Sequence, residues 1–250
     1  MIIATTFIMN RNNRDVLIDD LVRANHILAA RGIVDGFGHV SARDPEDPAK
    51  FLIARSMAPA LVGADDIMTL DLDGTPAPGD DRKPYLERFI HGEIYRARDD
   101  VRAIVHSHTQ SLIPFGITSQ PLRPVFHMAA TIGAEVPVFE IRDTAGDASD
   151  LLVKTQALGK DLAQSLDRDA VVLMRGHGMT AVGGDVREAV FRAVYAEINA
   201  RLQADAMRIG SVTYLSDGEI AAAAAANWSQ IGRAWALWLA ELRELVVASP

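Results

Sequence analysis

The chain has 250 residues, contains no cysteine and carries a net charge of −8. A negative net charge disfavours nucleic acids and anionic membrane surfaces as partners, because both attract clustered positive charge. The absence of cysteine excludes disulfides, thiolate nucleophiles and cysteine-ligated zinc, so a metal ion would have to be held by His, Asp or Glu.

The N-terminal residues carry no basic segment and no small-residue cleavage site of the kind found in secretory signals. The longest uniform apolar run, the alanines at 221–226, is too short to span a bilayer. These features predict a cytoplasmic protein without a membrane segment.

The first predicted element is an amphipathic helix over residues 13–31, in which apolar side chains recur at helical spacing. Gly32 follows it and is typical of a helix end. Short apolar runs bounded by turn residues then predict strands at 39–42, 51–54 and 67–71.

The middle of the chain continues with one helix and further strands. Pro84 opens a predicted helix over 84–98, since proline is favoured in the first helical turn. An apolar run at 101–106 predicts a buried strand, and weaker patterns predict strands at 125–128 and 136–140.

The last third contains a predicted helix over 150–166 and a buried strand at 171–174. Helices over 185–209 and 216–247 each begin at a capping box, in which an Asp or Ser is followed three residues later by a Glu. Alternating strands and helices predict a layered α/β domain. No repeat or linker divides the chain, so all 250 residues are predicted to form one domain.

Two motifs contain histidines directly after predicted strands. His106 and His108 end one strand, and residues two apart in an extended chain point to the same side. His177 lies between Gly176 and Gly178 after another strand, and glycines permit a sharp turn and a close approach. Three neutral imidazoles leave coordination positions open, as catalytic metal sites do.

Each motif taken alone has a simpler interpretation. A His-x-His pair also arises by chance, and His177 alone would serve as a turn residue. Both motifs together favour a metal site, and imidazole donors accept Zn, Mn, Fe or Co.

Four segments, in this order, resemble the class II aldolase/adducin family: Gly-Phe-Gly-His-Val-Ser at 36–41, Glu87 on a predicted helix, the pair His106 and His108, and Gly-His-Gly around His177. The resemblance covers about residues 19–202. It implies a three-layer α/β/α sandwich around a mainly antiparallel sheet, and a homotetramer with active sites at subunit interfaces. It further implies that the three histidines bind one divalent metal ion per subunit, Zn or Mn first and Co or Fe second, and that Glu87 is the catalytic acid or base.

Adducin-type members of the family lack the metal histidines and serve as structural modules, so the three histidines here favour an enzyme. Glu87 has another interpretation without the family, as an exposed helix residue paired with Arg88 or His91. A carboxylate beside a cation and an apolar wall is nevertheless suited to proton exchange with a substrate.

Three segments that bind the sugar phosphate in aldolases of this family differ in this chain. His39 stands where the family has Asn, Ser56-Met57 replaces a Ser/Thr-Gly pair, and Tyr85-Leu86 replaces two Ser/Thr residues before the catalytic Glu. A phosphate needs several N–H and O–H donors. The predicted substrate is therefore not phosphorylated.

A planar, carboxylated small molecule is the predicted substrate instead. Arg55 offers a guanidinium fork to a carboxylate, with a surface ion pair as the alternative. Tyr85 and Phe126 are predicted to pack against a ring. The remaining predicted substrate contacts are His39, Ser41 and Ser56.

His127 is the second predicted catalytic residue. Aldolases similar to this chain have a Tyr at the matching position, which a neighbouring subunit donates as the proton source. A histidine there keeps a proton donor with a pKa nearer neutrality, and a buried structural histidine is the alternative. His26 and His91, on predicted helices, are expected to be structural or exposed.

The stretches at 36–43, 87–98 and 122–130 resemble the branch that decarboxylates hydroxylated aromatic or heteroaromatic acids, such as 3-hydroxy-2-methylpyridine-4,5-dicarboxylate decarboxylase and the dihydroxyphthalate decarboxylases. This implies a lyase in which the metal stabilises the enolate-like charge left as CO2 departs, and in which Glu87 or His127 supplies the proton. The alternatives are an aldolase acting on a non-phosphorylated hydroxy-keto acid, an Fe(II) oxygenase and a non-catalytic module.

Three tryptophans, Trp228, Trp235 and Trp238, are predicted to share one face of the last helix. Packing against the core or a neighbouring subunit is the first interpretation of this face. A lid over the substrate is the second.

Overall fold

Short apolar runs of the sequence assemble into a central β-sheet. The computed structural model describes residues 13–248, and within this range the sheet has seven strands. They are β1 (His39–Arg43), β2 (Lys50–Ala54), β3 (Ile67–Asp71), β4 (Ala103–Ser107), β5 (Val138–Phe139), β6 (Val171–Met174) and β7 (Gly178–Gly183). Their order is β3-β2-β1-β4-β7-β6-β5, and neighbours are antiparallel except β5 and β6.

Helices cover both faces of this sheet. The α-helices are α1 (Asn13–Ala30), α2 (Arg88–Ala97), α3 (Ile113–Ile117), α4 (Arg142–Ala145), α5 (Gln156–Leu166), α6 (Val186–Ile209), α7 (Asp217–Trp228) and α8 (Ile231–Ala248). α1 and α6 pack on one face, over β1, β4 and β7. α2 and α5 pack together over the other face, where His91 contacts His39 and Ser41 of β1. The predicted three-layer α/β/α fold with a mainly antiparallel sheet is confirmed.

The middle of the sheet is buried. Every residue of β1, β4, β6 and β7 is buried, and the apolar side chains form one cluster from α1 to α8. Burial of each large apolar side chain contributes about 1.5–3 kcal/mol to stability. Polar residues on these strands, such as His39 and His106, must therefore find partners within the protein.

Two helices begin later than the sequence predicts. α2 begins at Arg88 rather than at Pro84, and Glu87 occupies its N-cap position. α5 begins at Gln156 rather than at residue 150, because the Thr155 hydroxyl caps it by accepting a hydrogen bond from the Leu158 N–H at 3.3 Å.

One strand prediction is wrong, and one strand, β7, has no counterpart among the predicted strands. The segment 125–128 forms no strand, and a 3₁₀-helix over His127–Ile132 begins there. β7 has no clear strand pattern because glycines weaken it, yet it forms by pairing with β4 on one side and β6 on the other.

The single helix predicted over 216–247 is two helices. α7 ends at Trp228, and α8 begins at Ile231. Trp235 and Trp238 are buried, and the rings of Trp228 and Trp238 each lie 6.4 Å from the Phe191 ring of α6. These contacts agree with core packing and not with a substrate lid.

Among residues 13–248, no helix is long and apolar enough to cross a membrane. Residues 1–12, where a secretory signal would lie, are outside the described residues. The single domain predicted for the whole chain stays a prediction.

Candidate active site

Three histidines and one glutamate converge at the end of the central strands. His106 belongs to β4 and His108 follows that strand, whereas His177 lies in the turn between β6 and β7. Nε2 of His108 lies 3.2 Å from Nε2 of His106 and 2.9 Å from Nε2 of His177. Oε2 of Glu87 lies 3.6 Å from Nε2 of His106 and 3.5 Å from Nε2 of His177. The four side chains form a group that could hold a metal ion.

Two glycines shape the turn that carries His177. Gly176 has a φ of +65°, a conformation that other residues rarely adopt. Gly178 lies so close to the end of β4 that a Cβ atom there would be 2.0 Å from the Ser107 carbonyl oxygen. The turn reaches the His106 and His108 segment only because no side chain intervenes.

Hydrogen bonds behind the cluster orient its donor atoms. Nδ1 of His106 lies 3.0 Å from the Met179 carbonyl oxygen. A donor at Nδ1 leaves the lone pair on Nε2, as in most metal-binding histidines. Oε1 of Glu87 accepts a hydrogen bond from the Val153 N–H at 2.9 Å, which leaves Oε2 facing the histidines.

Burial favours neutral imidazoles in this cluster. It lowers the pKa of His106, and together with the charge of His106 it lowers the pKa of His108 to about 4. Burial acts to raise the pKa of Glu87, but the adjacent His106 and His177 outweigh it and hold that pKa well below its ordinary value, so the carboxyl group is ionised. Converging imidazole lone pairs beside an ionised carboxylate repel one another, and they fit a divalent cation as a donor set.

A cavity of about 290 Å³ opens beside these four residues. Glu87 and His108 line it, and so do His39, Ser56 and Tyr85, which the sequence predicts as substrate contacts. Its size suits a small molecule.

Tyr85 gives this cavity a fixed apolar wall. Its hydroxyl donates to the Met57 carbonyl oxygen at 2.6 Å, and its ring centroid lies 4.7 Å from that of His39. Burial raises the pKa of Tyr85 to about 12, so the phenol stays neutral. Phe37 and Leu86 also line the cavity, and their side chains are 69% and 56% exposed. The cavity therefore offers apolar surface to a planar ring.

Two predicted substrate contacts do not line the cavity. Ser41 is fully buried and bonds His91 and Tyr95, so its assignment as a substrate contact is wrong. It lies on the same face of β1 as His39, but α2 covers it. Arg55 forms the ion pair that was its alternative, with its Nε 2.6 Å from Oδ1 of Asp66.

Phe126 and His127 also lie outside this cavity. Phe126 packs on α6, with its ring 6.3 Å from that of Tyr195. The His127 side chain is exposed, and its carbonyl oxygen accepts a hydrogen bond from the Asn227 amide at 2.7 Å. Their roles stay predictions, and both require a site shared with a neighbouring subunit.

His91 adjoins the site, although the sequence predicts it only as structural or exposed. Its ring is fully buried, and its Nε2 lies 2.6 Å from Nδ1 of His39. Glu87 and His91 are four residues apart, which is one helical turn. That spacing is the signal that identifies His91 as a neighbour of the site. His26, by contrast, bonds the Val62 carbonyl oxygen at 2.9 Å, in agreement with a structural role.

The amino-acid sequence matches the family described as Class II Aldolase and Adducin N-terminal domain over residues 19–204. The chain belongs to this family. It is 35% identical over 244 residues to decarboxylase tropJ of Talaromyces stipitatus, with 87% of this chain and 90% of the relative covered. It is 33% identical over 193 residues to 3,4-dihydroxyphthalate decarboxylase of Terrabacter sp., with 72% and 76% covered.

A solved relative shares the fold. L-fuculose 1-phosphate aldolase from Glaciozyma antarctica has a TM-score of 0.76 at 23% identity, with 92% of this chain and 91% of that chain covered. The predicted family and lyase class are confirmed by these matches. Class II aldolases use a divalent metal, and the cluster of three histidines and Glu87 could bind one in this member of the family.

Proposed function

We propose that this protein is a metal-dependent decarboxylase that removes CO2 from a hydroxylated aromatic or heteroaromatic carboxylic acid. The observation that carries the proposal is the convergence of three imidazoles and Glu87 beside a small cavity walled by Tyr85 and Leu86. Relatives that are named decarboxylases and span most of this chain support the same reaction.

His106, His108 and His177 would hold one divalent ion per subunit. Zn and Mn are the expected ions, and Co and Fe suit the same imidazole donors. When bound, the ion supplies Lewis-acid stabilisation of the negative charge that develops as the carbon–carbon bond breaks. The Met179 carbonyl oxygen accepts a hydrogen bond from Nδ1 of His106 and keeps that ring oriented for metal binding.

Glu87 is the proposed acid–base residue: ionised in the free site, it would take the proton of the substrate's ring hydroxyl and deliver it to the ring carbon in place of CO2. When CO2 leaves, the bonding electron pair stays on that carbon, and delivery of a proton there completes the exchange. The Val153 N–H holds Oε1 of Glu87, so the carboxyl group is fixed at the inner side of the cavity. His127 of a neighbouring subunit is the second proposed proton donor.

Tyr85, Leu86 and Leu152 are proposed to hold the ring and exclude water. All three line the cavity. An apolar surface beside the departing carboxylate favours its conversion to neutral CO2, because the charged group is poorly solvated there.

We extend the proposal to a cytoplasmic homotetramer whose sites are completed at subunit interfaces. Two observations support it: Phe37 and Leu86 expose large apolar side chains at the cavity, and His127 is exposed. Exposed apolar groups of this size are typical of surfaces that a partner covers.

Release of CO2 from a panel of ortho-hydroxy benzene and pyridine carboxylates tests the proposal. The protein is loaded separately with Mn, Zn, Co or Fe. We expect wild-type release that His106→Ala abolishes, and that Glu87→Gln lowers about 10²–10⁴-fold. Glu93→Gln is the matched control, because Glu93 lies on the same helix but does not line the cavity. If no acid releases CO2 while metal is bound, the proposal fails, and cleavage of hydroxy-keto acids becomes the next assay.

A further inference from the structure

Three polar side chains, those of His91, Ser41 and Tyr95, form an unbroken hydrogen-bonded series behind His39. Nδ1 of His39 lies 2.6 Å from Nε2 of His91, and Nδ1 of His91 lies 2.6 Å from Oγ of Ser41. Oγ of Ser41 lies 2.8 Å from the Tyr95 hydroxyl, which ends the chain. His91, Ser41 and Tyr95 are fully buried, so each of their polar hydrogens needs an acceptor inside the protein.

The Tyr95 hydroxyl sets the direction of every bond in this chain. Burial raises the pKa of Tyr95 well above its ordinary value, so the hydroxyl keeps its proton. Among residues 13–248, Ser41 is the partner of this hydroxyl, so Tyr95 donates to Ser41. The reverse direction would leave a buried phenolic hydrogen without an acceptor, at the full desolvation cost of that group.

The remaining bonds follow in order. The Ser41 hydroxyl donates to Nδ1 of His91, which takes part as a neutral ring because burial lowers its pKa to about 3. The Nε2–H of His91 then donates to Nδ1 of His39. With Nδ1 as the acceptor, a neutral His39 must carry its proton on Nε2.

Nε2 of His39 is the atom that this arrangement presents to the cavity. It has no hydrogen-bond partner among the described residues, and, unlike Nδ1 of His177, it is not sealed inside the protein. We propose that Tyr95, Ser41 and His91 hold His39 in its Nε2–H form, so that His39 donates a hydrogen bond to an anionic oxygen of the substrate. The identity of that oxygen, a carboxylate of the aromatic acid, rests on the proposed function.

This geometry makes His39 a specificity-determining residue, and the other three are positioning residues. The rings of His39 and His106 lie 5.0 Å apart, so an oxygen bound by His39 lies beside the metal cluster. A fixed N–H donor binds the anionic oxygen of a carboxylate more strongly than the neutral carbonyl oxygen of an amide.

Nitrogen-15 NMR of histidine-labelled protein measures the His39 tautomer without any substrate. The His39 signals are assigned by their loss in His39→Asn. We expect a protonated Nε2 and an unprotonated Nδ1 near neutral pH. A protonated Nδ1 with an unprotonated Nε2 would overturn the inference, whether or not the protein decarboxylates any acid.

His91→Gln and His91→Leu form a matched pair that tests the positioning role. The Gln side chain can donate to His39 and accept from Ser41, whereas Leu can do neither. We expect His91→Leu to give a mixture of His39 tautomers and to raise KM about 10–100-fold with little change in kcat. His91→Gln should restore most of both.

The outcomes separate this inference from the proposed function. If folded His91→Leu keeps the wild-type His39 tautomer and KM, the hydrogen bonds behind His39 have no positioning role and the inference fails. If no acid is turned over, the proposed function fails, and the tautomer measured in the wild type still decides the inference. The same measurement decides it if His91→Leu does not fold.

Discussion

One added methyl group at Gly178 tests whether a backbone contact sets the metal site. A Cβ atom there would lie 2.0 Å from the Ser107 carbonyl oxygen and 3.0 Å from Cα of His108. Non-bonded heavy atoms are ordinarily separated by about 3.5 Å. Gly178→Ala must therefore move the start of β7 away from the end of β4 by more than about 1 Å.

This movement acts on the donor atoms themselves. His177 and His108 adjoin the two backbone points that separate, and their Nε2 atoms are 2.9 Å apart. A misplacement of about 1 Å can cost about 100-fold in rate, and we expect metal affinity and turnover each to fall by about that factor. Overpacking also costs about 1–3 kcal/mol of stability, and each kcal/mol lowers Tm by about 2–4 °C in a domain of this size.

Metal affinity is measured by competition with a chromogenic chelator, and stability by thermal unfolding of metal-free protein. Gly218→Ala is the matched control, because an added Cβ there meets no atom within 4 Å. It should leave metal affinity unchanged and should not lower stability, since alanine is favoured over glycine within α7. Wild-type metal affinity in Gly178→Ala would refute the argument that this close approach positions His177.

Three further predictions concern stability and the cavity wall. Thr155→Ala removes the cap of α5 and should lower the free energy of unfolding by about 1 kcal/mol in urea titrations; no loss would contradict the capping role. The pKa of His91 is about 3 in the folded protein against an ordinary 6.5. The free energy of unfolding therefore falls as pH decreases from 6.5 towards 3, because the unfolded state takes up the proton first. His91→Gln cannot take up this proton, so it should lose less stability than the wild type between about pH 7 and pH 5. His39, which contacts this position, is the same in both proteins. Equal losses would contradict the prediction. Tyr85→Phe keeps the ring and should retain KM, whereas Tyr85→Ala should raise it about tenfold or more; equal KM values would exclude ring packing on Tyr85.

The metal cluster could be predicted because its signals are local in sequence. His106 and His108 are two residues apart on one strand, and Gly176 and Gly178 permit the turn that carries His177. The position of Glu87 came from the family resemblance, since a glutamate near a helix start has no distinguishing pattern of its own.

The substrate residues were harder to predict because their placement depends on tertiary packing. Alternation along β1 puts His39 and Ser41 on one face, but it does not show that α2 covers Ser41 and leaves His39 at the cavity. The ion pair of Arg55 with Asp66 joins residues eleven positions apart, and no local pattern selects it over a substrate carboxylate.

The long-range elements show the same limit. β7 contains glycines at both ends and is a strand only because β4 and β6 pair with it. Its omission from the predicted strands follows from the weak strand propensity of glycine.

Removal and return of the metal test the central claim most directly. CO2 release from the best acid of the panel is measured for the protein as purified, after chelation, and after titration with Zn or Mn. We predict that release stops on chelation and returns at one ion per chain, and that His106→Ala shows neither release nor recovery. Undiminished release from metal-free protein would contradict the claim that this site is a metal-dependent decarboxylase.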